Sequence, residues 1–363
     1  MKTKKLTKLT HFQIIDLLKS KTINWSPLQV AICQELQGYN TGSDINIEIC
    51  LPDGQFYRFL AEVMPLATPR NLNLAIQELR KIISNRGNDW YPMIIAPFLS
   101  PERLDELQKV EISGLDLSGN CVVNLPGRLF VFRTGKANSY PQSSTLVNPY
   151  TGRSSLVCRM FFLHPEWKSL KSMVQTINEK NGNISMGQAS KALDILCEEL
   201  LVAKNPGCIK IVEAQRLLDN LVQNYKTPKS LSVQSLKLET GLIWQERLNR
   251  GGLRWAVSGV TSARHYSSLG ESGPMRVYVS DLRKALENLG GAPEKISHFA
   301  DLELIYTDDP CVYFDARPEI DGIVWASKIQ TFLELIKGDA RQREVAQSLR
   351  KQILLEHYDK NII

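Results

Sequence analysis

The sequence predicts a multidomain α+β protein: an N-terminal α/β sandwich, a central helix-rich segment closed by a hairpin, and a C-terminal α+β domain. Three observations predict it. Residues 44–51 (DINIEICL) alternate in polarity, Pro52-Asp53-Gly54 turns the chain, and 56–63 (FYRFLAEV) return as a second strand. Trp90–Gly127 reads as a buried strand, a Ser-Pro helix start, an amphipathic helix and another strand that carries Asp116 and ends in Gly119-Asn120. From Ser154 the pattern changes to short helices, then two short strands around Asn205-Pro206-Gly207.

The elements follow in order. Residues 11–38 have apolar positions at helical spacing (Ile14, Ile15, Leu17, Leu18, then Val30, Ile32, Leu36) and predict a helix. After the hairpin comes a helix over 69–85, with Leu72, Ile76, Leu79, Ile82 and Ile83 on one face. A strand over 92–96, a helix over 101–109, a strand over 114–117 and short strands within 121–133 complete this domain, residues 1–140. Residues 135–152 are rich in Asn, Ser, Pro and Gly and read as a linker. Helices over 154–163, 169–179 and 185–201 precede the 202–212 hairpin in a domain spanning 151–228. A polar stretch over 227–235 separates the last domain, 235–363. It is expected to open with a helix up to Asn249. Strands over 253–258, 275–279, 302–306 and 312–314 follow, with helices over 259–266, 281–289, 325–337 and 339–356.

At 363 residues the chain is too long for one ordinary core. No apolar run approaches the roughly 18 residues of a membrane span. The N-terminus is basic (Lys2, Lys4, Lys5, Lys8) but lacks the apolar core of a secretory signal, so a cytoplasmic protein away from membranes is expected. The seven cysteines (33, 50, 121, 158, 197, 208, 311) form no CxxC pair and read as thiols rather than disulfides or a zinc site. The five histidines are dispersed, and neither a metal nor a cofactor is expected. Net charge is +6, and 151–230 holds 11 Lys or Arg against 7 Asp or Glu. That surplus suits a nucleic-acid partner without requiring one.

Two constellations carry candidate chemistry. Restriction-type nucleases hold a divalent metal on an Asp and on the Glu of a Glu-x-Lys strand, and the Lys orients the attacking water. Here Asp53 (with Asp44 as a competing choice), Glu62 and Asp116 could supply carboxylates on a restriction-endonuclease-like sandwich. Met64 occupies the cation's place, and a thioether can donate no hydrogen bond to water or phosphate. The three carboxylates are therefore vestigial candidates, and Asp53 is explained by turn geometry alone. The expectation is a nuclease-like scaffold without activity, with a metal-dependent nuclease as the alternative.

The second constellation is the order helix, helix, turn, helix, hairpin, which is that of a winged helix. The third helix begins SMGQASKALD and places Ser185, Gln188, Ser190 and Lys191 where a recognition helix contacts phosphates and base edges. Lys204 and Lys210 flank the wing. Ser185 also suits an ordinary N-cap. In the last domain Arg254, Arg264, His265, Arg276 and Arg283 could face an acidic partner. No nucleophile motif accompanies His265, and the chain has no P-loop, GxGxxG or HExxH.

With those residues in view, the chain resembles the AbiEi-family antitoxins of bacterial type IV toxin–antitoxin systems, in the branch with a restriction-endonuclease-like N-terminal domain. The resemblance rests on 93–120 (MIIAPFLSPERLDELQKVEISGLDLSGN), the winged-helix segment, 253–266 (LRWAVSGVTSARHY) and 324–354. It implies a cytoplasmic repressor of its own operon that binds double-stranded operator DNA and counteracts a nucleotidyltransferase-like toxin in defence against phage and mobile elements. A palindromic operator would call for a homodimer. Relatives of this branch often read Glu-x-Lys where this chain has Glu62-Val63-Met64.

Overall fold

A computed structural model describes residues 9–20, 23–35, 45–51, 53–86, 89–140, 147–238, 242–267, 273–290 and 300–359. Asp44 and the basic cluster Lys2–Lys8 lie outside them. The protein is mixed α and β and divides into two compact units, residues 1–146 and 147–363.

The first unit runs α1 (His11–Lys19), β1 (Gln29–Glu35), β2 (Ile45–Cys50), β3 (Phe56–Val63), α2 (Pro69–Arg86), β4 (Trp90–Ala96), α3 (Pro101–Lys109), β5 (Ser113–Asp116), β6 (Cys121–Leu125) and β7 (Leu129–Arg133). Its seven strands lie side by side in chain order. The neighbours β3, β4 and β5 are parallel, because α2 and α3 carry the chain back across one face, and the other pairs are antiparallel. Side chains alternate between two cores. Phe59, Ala61, Ile95 and Leu115 pack with Ile14, Ile15 and Trp25 on one face. Leu60, Met64, Ile94 and Ala96 pack with Leu72, Leu79, Leu104 and Leu107 on the other. Helices therefore cover both faces of the sheet, as a sandwich requires.

The helix expected over 11–38 is corrected by the structure: it ends at Lys19, and 29–35 is a strand paired with β2. Pro27 disfavours a helical conformation at Ser26, and Val30 and Ile32 are β-branched residues that suit a strand. Helix α3 matches its expected bounds because its start is encoded locally. Ser100 accepts from the Arg103 amide, and Pro101 takes the position where no amide donor is needed.

The second unit begins α4 (Ser155–Leu163), β8 (Glu166–Trp167), α5 (Leu170–Glu179), α6 (Met186–Glu198), β9 (Val202–Asn205), β10 (Cys208–Ile211) and α7 (Ala214–Asn224). The strands form a small antiparallel sheet ordered β8-β10-β9. There follow β11 (Ser232–Leu236), α8 (Trp244–Leu248), β12 (Trp255–Val257), α9 (Val260–Tyr266), β13 (Met275–Val279), α10 (Leu282–Leu289), β14 (Leu302–Tyr306), α11 (Pro310–Tyr313), β15 (Arg317–Pro318), β16 (Val324–Trp325), α12 (Lys328–Leu335) and α13 (Ala340–Asp359). Their strands make a mixed sheet ordered β11-β14-β13-β12-β16-β15. One core joins α4–α7 to the closing helices, with Leu156, Phe161, Leu193 and Leu218 packed together with Phe332, Leu333, Leu349 and Ile353.

Three further expectations are corrected here. The polar stretch over 227–235 holds the start of edge strand β11, and the helix before Asn249 spans only 244–248. Residues 312–314, expected as a strand, belong with helix α11: Asp309 caps it by accepting from the Cys311 amide at 2.9 Å, and Pro310 starts it. Helix α7 and strands β8, β15 and β16 are additions to the sequence reading. Among the described residues no helix is long and apolar enough to cross a membrane.

Candidate nucleic-acid interface

Asp116 ends β5 with a fully buried side chain. Its Oδ1 accepts from the amides of Ser118 (2.9 Å) and Asn120 (2.8 Å). Its Oδ2 accepts from the Leu99 amide (3.0 Å) and Asn120 Nδ2 (2.7 Å). Gly119 takes a left-handed φ of 95°, and a Cβ there would come within 3.0 Å of the Asn24 carbonyl, so the turn requires glycine. Burial raises the Asp116 carboxyl above the usual carboxylate range, while these donors pull the other way. The carboxylate is thus committed to the turn and to the start of the α3 connection.

The other two carboxylates sit elsewhere. Asp53 is exposed in the β2–β3 turn, where its Oδ1 accepts from the Gln55 amide at 3.0 Å. Glu62 is half-buried near the far end of β3, roughly 20 Å along the strand. Glu62 and Asp116 share a sheet face, yet β4 lies between their strands, which places them about 10 Å apart across the sheet. The structure does not bring the three together. Met64 is 6 % exposed and packs with Leu72, Ala75 and Leu79, a place in which a Lys ammonium would be desolvated. Among the described residues no group of three or more His, Cys, Asp or Glu is placed to hold a metal.

Helix α6 packs Ala189, Ala192, Leu193 and Leu196 inward and leaves Met186, Gly187, Gln188, Lys191 and Asp194 exposed. Its start is a capping box. Ser185 Oγ accepts from the Gln188 amide (3.2 Å), and Gln188 Oε1 accepts from the Ser185 amide (3.3 Å). Ser185 and Gln188 are therefore tied to each other, and Lys191 is the cation one turn further on. Ser190 is half-buried and donates weakly to Asp194 (3.5 Å). Asp194 also lies 3.7 Å from Lys204 of the β9–β10 hairpin. Pro206-Gly207, with φ of 74° at the glycine, makes that hairpin tight.

Lys210 differs from Lys204. Opposite residues of an antiparallel pair share a face, so Lys204 lies with Ile209 on the core side, and Lys210 lies with Ala203 and Glu166 on the other. Ser185 and Gln188 thus meet at the start of α6, Ser190 and Lys204 both reach Asp194 further along it, Lys191 is exposed between them, and Lys210 is on the other face of the hairpin.

No family model, curated protein or solved structure matches the chain.

The C-terminal basic residues are spread out. Arg276 pairs with Glu303 (2.9 Å), Arg283 with Glu287 (3.6 Å), and the Arg254 guanidinium lies over the Tyr313 ring. His265 stacks on Trp325 with its Nε2 3.4 Å from Glu319. Sequence reasoning missed a buried polar network. Arg159 on α4 donates to Gln330 Oε1 (2.6 Å) and to the Cys311 carbonyl (3.1 Å). Gln330 donates in turn to Glu334, which also accepts from Ser258 Oγ (2.7 Å). Burial pushes the Glu334 carboxyl up. The signal was an arginine inside the apolar run SLVCRMFFL. Among the described residues the cysteines are free, and burial raises the thiols of Cys121 to about 11 and Cys311 to about 12.

Proposed function

We propose that the chain is a DNA-binding transcriptional regulator of the AbiEi-antitoxin kind, a cytoplasmic, non-enzymatic repressor of its own operon. The observation that carries the reading is the arrangement over 155–211: helix, strand, helix, helix, strand, strand, with the strands ordered β8-β10-β9 and the exposed face of α6 meeting a tight hairpin at Asp194 and Lys204. This supports a winged helix that lays α6 in the major groove and the hairpin on the backbone. Lys191 and Lys204 are the cations of that face, and Ser185 and Gln188 act mainly by holding the helix start. Lys210 plays a lesser part.

The N-terminal sandwich is read as a restriction-endonuclease-like scaffold without nuclease activity. The separation of Asp53, Glu62 and Asp116 speaks against the alternative, a metal-dependent nuclease. Incubating supercoiled plasmid with the protein and Mn²⁺ should leave it intact. By the family resemblance alone, the C-terminal sheet and closing helices are assigned the contact with a nucleotidyltransferase-like toxin, and a homodimer is inferred for a palindromic operator.

The test is an electrophoretic shift at fixed salt, comparing a duplex from upstream of the protein's own reading frame with an unrelated duplex of equal length. The reading expects tighter binding to the first, weakened by Lys191→Ala. Equal affinity for both duplexes would contradict a repressor, and lack of binding to either would sink the DNA-binding assignment.

A further inference from the structure

A cavity of about 290 Å³ opens within the second unit, lined by α4, α9, the β15–β16 hairpin, α12 and α13. One wall is apolar, made by Phe162, Leu163, Ile329 and Ile353. Beside it His265 and Trp325 stack with centroids 5.3 Å apart and planes 8° from parallel. The third wall is Asp315, whose side chain is only 6 % exposed.

Asp315 is held in a specific way. Its backbone adopts a left-handed φ of 56°, and its amide donates to the Lys180 carbonyl at 3.0 Å. All the donors it receives fall on one oxygen. Oδ1 accepts from Lys180 Nζ (2.6 Å), Arg317 Nε (3.1 Å) and Arg317 Nη2 (2.8 Å). Among the described residues Oδ2 receives none, so this carboxylate oxygen faces the cavity without a protein donor. An oxygen so placed can accept from a donor that enters the cavity. Lys328 is already paired with Glu356, and His265 Nε2 lies 3.4 Å from Glu319. The Tyr266 phenol beside them is raised by burial and then by Asp315, while Arg317 opposes the rise and Glu319 and Glu356 add to it.

We propose that this cavity binds a small organic amine, with its protonated nitrogen donating to Asp315 Oδ2 and its apolar body against Trp325, His265 and the apolar wall. A cation gains from the open Asp315 oxygen and from the aromatic faces, and a ring or alkyl body displaces water from the apolar side. An anion would find Lys180, Arg317 and Lys328 already paired with Asp315 and Glu356, and would face the open Asp315 oxygen as a like charge. The inference does not depend on the DNA-binding reading. The ammonium group could be that of a simple aryl amine or of a free amino acid, and the probes below separate these sources.

The test is calorimetric titration of the full chain with phenethylamine, phenylalanine and phenylacetate, which share a ring and differ in charge. Phenethylamine is expected to bind and phenylacetate not. Phenylalanine binding at least as tightly as phenethylamine would identify an amino acid as the source, and weaker binding would identify an amine without a carboxylate. Asp315→Asn should weaken amine binding roughly tenfold or more, the loss of one charge-assisted hydrogen bond. Leu163→Trp fills the cavity from a half-buried wall position without touching Asp315 and should abolish binding in a protein that melts normally. No amine binding at millimolar concentration would overturn the proposal. So would equal binding of the anion, or amine binding that Leu163→Trp leaves intact.

Discussion

Asp116 carries a turn on two oxygens that a metal ligand would need to keep open. Replacing it with Asn turns one acceptor into a donor that faces donors, the Leu99 amide or those of the turn. Asp116→Asn should therefore destabilise the first unit by about 1–3 kcal/mol in urea unfolding followed through tryptophan fluorescence. Mn²⁺ should shift neither midpoint, and metal stabilisation of the wild type lost in the variant would restore a metal role. Glu334 gives a prediction with a sign in pH. Its folded pKa is raised above 4.5, so the folded state holds the proton more tightly than the unfolded chain. Stability from this group is present below pH 4.5 and is lost as pH rises through the raised folded value. Glu334→Gln removes that loss. The variant's melting temperature relative to wild type should climb across this window, and a constant difference would contradict the account. At this scale the sequence was legible in part. Asp116 stood out beside Gly119-Asn120, but the Leu99 amide that fixes its role arrives through tertiary folding, 17 residues away. Asp315 did not stand out, because Arg317 beside it reads as an ordinary surface pair and its other partner, Lys180, meets it only through tertiary folding, 135 residues away.

Elements with their own start and stop signals were the ones readable in advance. Ser100-Pro101 fixed α3, and Ser185 with Gln188 fixed α6. The β2–β3 hairpin followed from alternation around Asp53-Gly54. Where the signal was spacing alone, the reading failed: Val30, Ala31 and Ile32 fit a helix face or a strand, and pairing with β2 decides between them. The same holds for β11, a polar strand that exists because β14 offers it an edge. The capping box makes a quantitative claim about α6. Ser185→Ala should cost about 1 kcal/mol of stability, since it leaves the Gln188 amide without its acceptor. On the proposed function the same change should weaken DNA binding only modestly, because Ser185 holds the helix and does not read the groove. A loss of binding as large as that of Lys191→Ala, in a protein of unchanged stability, would instead make Ser185 a direct contact.

At the scale of the molecule, the chain forms two units with separate cores, and the candidate functions follow that division. The first unit carries the scattered carboxylates and Met64. The second carries α6, its hairpin, the Arg159–Gln330–Glu334 network and the amine cavity. The helices of the proposed winged helix share a core with the closing pair α12 and α13, a union that local sequence patterns do not reveal. The central claim is that Lys191 and Lys204 meet DNA phosphates, and salt dependence tests it most directly. Each phosphate-contacting lysine contributes about one unit to the slope of log affinity against log salt. Measured on the upstream duplex, the Lys191→Ala, Lys204→Ala double variant should bind more weakly, with a slope shallower than wild type by about two. Identical slopes for the two proteins would contradict the assignment.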